Sequence, residues 1–195
     1  MNTRTAACAA LFALVALATA CSSDDAADST PKPSASAAAA ASSASPPSPI
    51  PSKARTIGDM YSSTREDQGL TFQTTSTVLG YEHDFKAQAS AAEETGAAGY
   101  VWSALEIKVC AQSDGISVSR FPWVLAYADG ARVEASGTTY GDFPKPEYPI
   151  EAKVKNGDCV RGKIAYAVPG NQRPVKVIYA PDGLPEPVEW TMPVS

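Results

Sequence analysis

One histidine, four cysteines and a scatter of carboxylates are the groups in this 195-residue chain that could do chemistry. His83, in Tyr81-Glu82-His83-Asp84-Phe85, is the one imidazole base that a serine nucleophile could use, and Asp84 or Glu82 would have to orient it. Adjacent residues of a strand point to opposite faces, so neither neighbour is placed for that task and His83 reads as an exposed loop or strand histidine. Glycoside hydrolysis needs two carboxylates held at a set separation across the scissile bond. Glu93, Glu94, Asp142, Glu147 and Glu151 supply the groups, but their spacing along the chain supplies no separation. Glu93-Glu94 is most simply a solvated face. Cys110 and Cys159 with His83 make a poor ligand set for a structural zinc. No Gly-rich phosphate loop, CxxC pair or EF-hand loop is present. No metal, no cofactor and no catalytic residue is therefore expected.

A contact surface is the other kind of site the residues offer. Thr138 to Pro149 concentrates Tyr140, Phe143 and Tyr148 among three prolines. Aromatic rings dominate binding hot spots and proline lowers the cost of ordering, so the three rings are a candidate patch for a protein or glycan. The competing reading is that they cap an open end of the fold. Trp102, Trp123 and Trp190 read as core or rim packing, with Trp102 on the Glu106 side of its strand and expected to be exposed.

The chain that positions these groups begins with an export signal. Ala6 to Ala20 is apolar apart from Thr19, follows Arg4 and ends in small residues, as signal peptides do. Fifteen residues at about 1.5 Å each reach roughly 22 Å, short of a bilayer's hydrocarbon core of roughly 30 Å. Leu17-Ala18-Thr19-Ala20-Cys21 resembles the lipobox of bacterial lipoproteins. The resemblance implies cleavage before Cys21, diacylation of its thiol, and residence on the extracytoplasmic face of the cell membrane, for which two chains suffice where one binds marginally. The alternative is an ordinary secretory signal followed by a free thiol. With Cys8 in the signal and Cys21 lipidated, Cys110 and Cys159 remain as the pair in the folded part. In an exported chain such a pair reads as a disulfide.

Ser22 to Ser52 holds 10 Ser, 9 Ala and 6 Pro in 31 residues. Such a segment has too little apolar surface to offset its ordering entropy and is expected to be a disordered tether. The expected domains are thus a signal peptide over 1–20, a lipid-anchored linker over 21–52 and a folded domain over 53–195. The net charge of -5 becomes -6 once Arg4 is removed, which leaves no footprint for nucleic acid and no basic patch for anionic lipid. Membrane residence then rests on the lipid at Cys21.

The folded part reads as all β. Tyr100 to Cys110 alternates Val101, Leu105, Ile107 and Val109 against Glu106 and Lys108. Similar runs lie at Leu70–Leu79, around Ile116 and Val118, at Trp123–Tyr127, Cys159–Val168, Val175–Tyr179 and Val188–Met192, with Asp129-Gly130 as a hairpin turn. Helix candidates are short, near Ala87 to Glu94 and around Asp59. Cys110 and Cys159 fall off the core-facing rows, one ending a strand and the other starting one, so their bridge is expected as a staple at a sheet end. Seven or eight antiparallel strands with Gly, Pro and Asp turns suggest a two-sheet β-sandwich.

Lys108-Val109-Cys110, Ala128-Asp129-Gly130, the run Gly157-Asp158-Cys159-Val160-Arg161-Gly162 closing in Val168-Pro169, Val177-Ile178-Tyr179 and Val188-Glu189-Trp190 resemble the family of the mycobacterial immunoprotective extracellular antigen. The likeness spans about Arg55 to Met192. It implies an immunoglobulin-like sandwich and carries no catalytic residues. Lys163 and Ala165 depart from it, standing where bulkier apolar residues are expected. The expected function is a membrane-anchored binding module for an unidentified protein or cell-envelope component. The alternatives are an envelope glycan-active enzyme working through carboxylates, or a carrier of a small apolar ligand between the sheets.

Overall fold

The computed structural model describes residues 55–193; Cys21, the signal segment and the linker expected over 21–52 lie outside them. In chain order the elements are β1 (Arg55–Thr56), β2 (Met60–Asp67), β3 (Leu70–Phe85), α1 (Ala91–Thr95), β4 (Tyr100–Ser113), β5 (Ile116–Ser119), β6 (Trp123–Ala126), β7 (Arg132–Val133), β8 (Glu151–Val154), β9 (Cys159–Pro169), β10 (Lys176–Tyr179) and β11 (Val188–Thr191). They assemble into a four-stranded sheet, β2-β3-β4-β9, a five-stranded sheet, β1-β11-β10-β6-β7, and the separate pair β5-β8.

The four-stranded sheet is antiparallel throughout. Its first hairpin turns through Gln68 and Gly69, both at positive φ, which is the backbone twist a two-residue hairpin requires. In β4 the expected alternation holds: Leu105, Ile107 and Val109 are buried while Lys108 is exposed. One cluster of buried residues unites the two larger sheets. It includes Leu105, Ile107, Ile164 and Tyr166 from the four-stranded sheet and Trp123, Leu125, Val177 and Trp190 from the five-stranded one. At the edge of this core Tyr61 meets Trp190 edge to face, and Trp123 stacks on Tyr179.

Two expectations about the strands are corrected. Eleven strands stand where seven or eight are expected, and β1 pairs with β11 in parallel. β1 and β7 are two residues long, too short to show a period. In β2 the string Ser-Ser-Thr-Arg-Glu-Asp has no apolar alternation to detect. It is ordered by eight register pairs with β3 instead.

Between β1 and β2 the chain crosses from one sheet to the other. Gly58, at φ 96°, donates its N–H to the Val78 carbonyl, and the Trp190 indole donates to the Asp59 carbonyl at 2.9 Å. The turn around Asp59 is therefore this crossing, not a helix. α1 forms where Ser90 caps its N-terminus: the hydroxyl accepts from Glu93 N while Glu93 Oε2 accepts from Ser90 N. Gly96 in the left-handed conformation ends it.

Candidate binding face

The outward face of the four-stranded sheet is divided. At one end lies a shallow concavity of about 710 Å³ floored by short polar side chains. Register places them in rows across the strands. Ser62 faces Thr75, Thr75 faces Cys110, and Cys110 faces Cys159. In the adjacent row Met60 faces Thr77, Thr77 faces Lys108, and Lys108 faces Arg161. Hydroxyls donate and accept alike, and on Ser and Thr they sit close to a backbone already fixed by the sheet, so a ligand orders few rotors on binding. Arg161 is held by Glu106 at 2.8 Å and Lys163 by Glu82 at 3.2 Å, a charged belt beside the concavity.

Cys110 and Cys159 are bridged, with Cα atoms 4.0 Å apart. They are directly opposed at the last rung of the β4–β9 ladder. Cys110 does not end its strand, because β4 continues to Ser113. The sulfur bridge therefore forms part of the concavity's floor.

The other end of the same face is dry. Phe85, Trp102, Ala104 and Ala165 make a second buried cluster with Ala91 of α1 and Phe143. Trp102 is corrected here: it is 2 % exposed, and its Nε1 donates to the Ala89 carbonyl at 2.8 Å. Its side does face outward, but α1 and the loop carrying Phe143 cover it. The same cover explains Ala165, since a bulkier residue would compete for the space Phe143 and Trp102 fill.

The patch expected from Tyr140, Phe143 and Tyr148 is corrected too. Phe143 is 2 % exposed and packs at 4.9 Å, ring to ring, on Trp102. Tyr148 is fully buried in the other cluster, the one between the sheets. Tyr140 alone is half-exposed, and its hydroxyl donates to Glu94. Tyr140 packs beside Phe143 on the outer cluster, their ring centres 5.2 Å apart, while Tyr148 enters the other core, because the loop crosses from the outer face of the sheet to the space between sheets. The residue that permits that crossing is Gly162. A Cβ there would lie 2.5 Å from Tyr148 N and 2.6 Å from Glu147 C. The segment runs so close that Tyr148 N donates to the Lys163 carbonyl and Lys163 N to that of Pro146. Arg120, itself 3 % exposed, donates from Nη2 to the Tyr148 carbonyl at 2.6 Å; nothing in its sequence context marks it as buried.

Most of the groups considered for catalysis are engaged by other partners. His83 Nε2 donates to the Gly170 carbonyl at 3.2 Å, and Nδ1 lies 3.0 Å from the Tyr81 hydroxyl. Ser103, opposite His83 in register, is fully buried. Hydrogen bonds from the Ser90 backbone and hydroxyl hold the Glu93 carboxyl below its usual range, and those from Thr138 and Tyr140 do the same for Glu94. A general acid needs the opposite shift. Asp142 accepts from Gln88 N, Glu147 pairs with Lys145, and Glu151 lies in β8. A small recess between the sheets near Tyr179 and Leu184 measures about 110 Å³, whereas small-molecule sites occupy roughly 300–1,000 Å³.

No known protein family's sequence profile matches this chain, and no curated protein does. Solved structures do. The chain is similar in structure to MPT63, a secreted protein of Mycobacterium tuberculosis. The match covers 74 % of this chain and 99 % of MPT63 at 17 % identity, with a TM-score of 0.52. At that identity the likeness shows the fold. The ycdA protein of Bacillus subtilis matches over 60 % of this chain and 35 % of its own, at 12 % identity and TM-score 0.42. A functionally unknown protein of Listeria monocytogenes matches over 72 % and 91 %, at 12 % and 0.40.

Proposed function

We propose that this chain is a non-enzymatic binding module, an immunoglobulin-like β-sandwich carried outside the cell on a lipid at Cys21. Its partner is a cell-envelope component or envelope protein rich in hydrogen-bonding groups. The observation that carries this reading is the hydroxyl-rich concavity on the outward face, where Ser62 of β2 and Thr75 and Thr77 of β3 line a four-stranded sheet whose β4 and β9 are bridged by Cys110–Cys159. A rigid polar floor suits a ligand that presents hydroxyls and amides, and none of its lining residues is a carboxylate, two of which glycan cleavage requires. Similarity to the secreted MPT63 fold supports an extracytoplasmic setting, and the lipobox at Cys21 supports the anchor.

The test is photo-crosslinking in intact cells from positions Thr75 and Thr77, compared with Thr139 on the far loop. A reproducible adduct from Thr75 and Thr77 that Thr139 does not give is expected. Adducts equal at all three positions would remove the concavity as the contact face. Cys21→Ala should release the protein from membranes, and its continued membrane partition would refute the lipid anchor.

A further inference from the structure

The two outer strands of the four-stranded sheet are not equally protected. β9 is covered along its edge, with Lys163 bonded to Pro146 and Tyr148 and the Ala165 carbonyl accepting from Ser136 N. β2 forms the other edge of the four-stranded sheet. It is eight residues long, contains no proline, and pairs with β3 without a bulge. Among the described residues no hydrogen bond from any element other than β3 reaches its backbone. Edges are protected by shortness, bulges, proline, a covering loop or charge. The Arg65 side chain of β2 is tied to a loop, its Nη1 donating to the Asp182 carbonyl at 3.2 Å, while the strand's outer backbone groups stay uncovered. In β2 the charges are confined to Arg65, Glu66 and Asp67, and Tyr61 to Thr64 is uncharged.

We propose that β2 is a dimerisation strand that pairs antiparallel with β2 of a second copy of this chain. Such pairing needs a two-fold axis perpendicular to the sheet, so opposed residues lie on the same face and their numbers sum to an even value. Three registers keep most of the strand paired. Centring on Arg65 opposes two guanidinium groups, and centring on Ser63 opposes Asp67 to Asp59. Centring on Thr64 opposes no like charges and sets each charge against a hydroxyl: Arg65 against Ser63, Glu66 against Ser62, Asp67 against Tyr61. Charge complementarity selects this register further. The Arg55 guanidinium lies 4.8 Å from the Tyr61 ring centre, so Asp67 of the second copy arrives beside a cation, and symmetry repeats the contact. The two outward faces then join as one continuous sheet, with Ser62 and Thr64 at the seam.

This pairing stands or fails independently of the partner proposed for the concavity, because it is read on the purified full-length chain alone. Sedimentation over a concentration series should show a weak monomer–dimer equilibrium, and a photo-crosslinker at Thr64 should give a homodimer that one at Arg161 does not. Asp67→Lys turns two attractive contacts into repulsive ones and should raise the dimer dissociation constant about tenfold, with Arg55→Glu in the same chain restoring it. Thermal unfolding of both variants checks that the monomer is intact. A chain that stays monomeric throughout the series overturns the proposal, as does capture of only a different protein from Thr64 in cells. Dimerisation that Asp67→Lys leaves unchanged, or that Arg55→Glu fails to restore, overturns the register.

Discussion

Gly162→Ala should be among the most damaging single methyl groups that can be added to this fold. The added Cβ would stand 2.5 Å from Tyr148 N, whereas ordinary contact begins near 3.4 Å. The obstructing atoms are backbone, so the segment 146–148 must retreat by the difference, 3.4 - 2.5 = 0.9 Å. Its two hydrogen bonds with Lys163, at 2.9 and 2.8 Å, would stretch beyond bonding range. Overpacking of a core costs about 1–3 kcal/mol and each backbone bond contributes about 1, so the expected loss is about 3–5 kcal/mol. That is a large share of the roughly 5–15 kcal/mol a domain possesses. Tyr148 is also the residue whose carbonyl receives Arg120, so the shift would unseat a buried cation. Urea unfolding of Gly162→Ala beside Gly80→Ala provides the assay, since a Cβ at Gly80 meets nothing within 4 Å. Gly80→Ala should be nearly neutral. A Gly162→Ala variant within about 0.5 kcal/mol of the parent, the range of ordinary surface changes, would refute the close-approach argument.

Replacing Cys110 and Cys159 together by Ala should cost about 4 kcal/mol by the chain-entropy account of a 49-residue separation, with a steeper urea dependence as the unfolded chain expands. Trp102→Ala should cost about 3–5 kcal/mol, and hydrogen exchange should show residues 87–97 losing protection before the β4–β9 ladder does. Acid should destabilise the α1 region, because the Glu93 and Glu94 carboxyls are held below their ordinary value of 4.5. A depressed folded-state pKa gives stability that is present above that value and lost as pH falls through the folded one. Glu93→Gln should therefore flatten the dependence of thermal stability on pH below about 4.5 while keeping the capping bond, as melts at neutral and acidic pH would report.

What the sequence reveals here is what repeats with a period. β4 and β9 announce themselves because one face meets the core between the sheets and the other carries Glu106, Lys108 and Arg161. β2 does not, because as an edge strand it buries little beyond Tyr61. The aromatic loop misleads for a different reason: Tyr140, Phe143 and Tyr148 are near in sequence, yet Phe143 and Tyr148 enter separate cores. Burial of a ring depends on which sheet face the chain reaches, and local composition is silent about that. The polar concavity is equally invisible along the chain. Its residues come from β2, β3, β4 and β9, and only the register brings Ser62, Thr75 and the Cys110–Cys159 bridge into one row.

The position of β11 also sets a schedule. It lies between β1 and β10 rather than at a margin, and its pairing of Trp190 with Arg55 spans nearly the whole described chain. Contacts so distant in sequence form slowly, after a long loop has closed. The five-stranded sheet therefore cannot be completed until residues 188–191 are available, and the core ring of Trp190 remains without its neighbours until then. A chain delivered N-terminus first across a membrane would thus remain threadable during passage, and would lock only once its last strand had arrived.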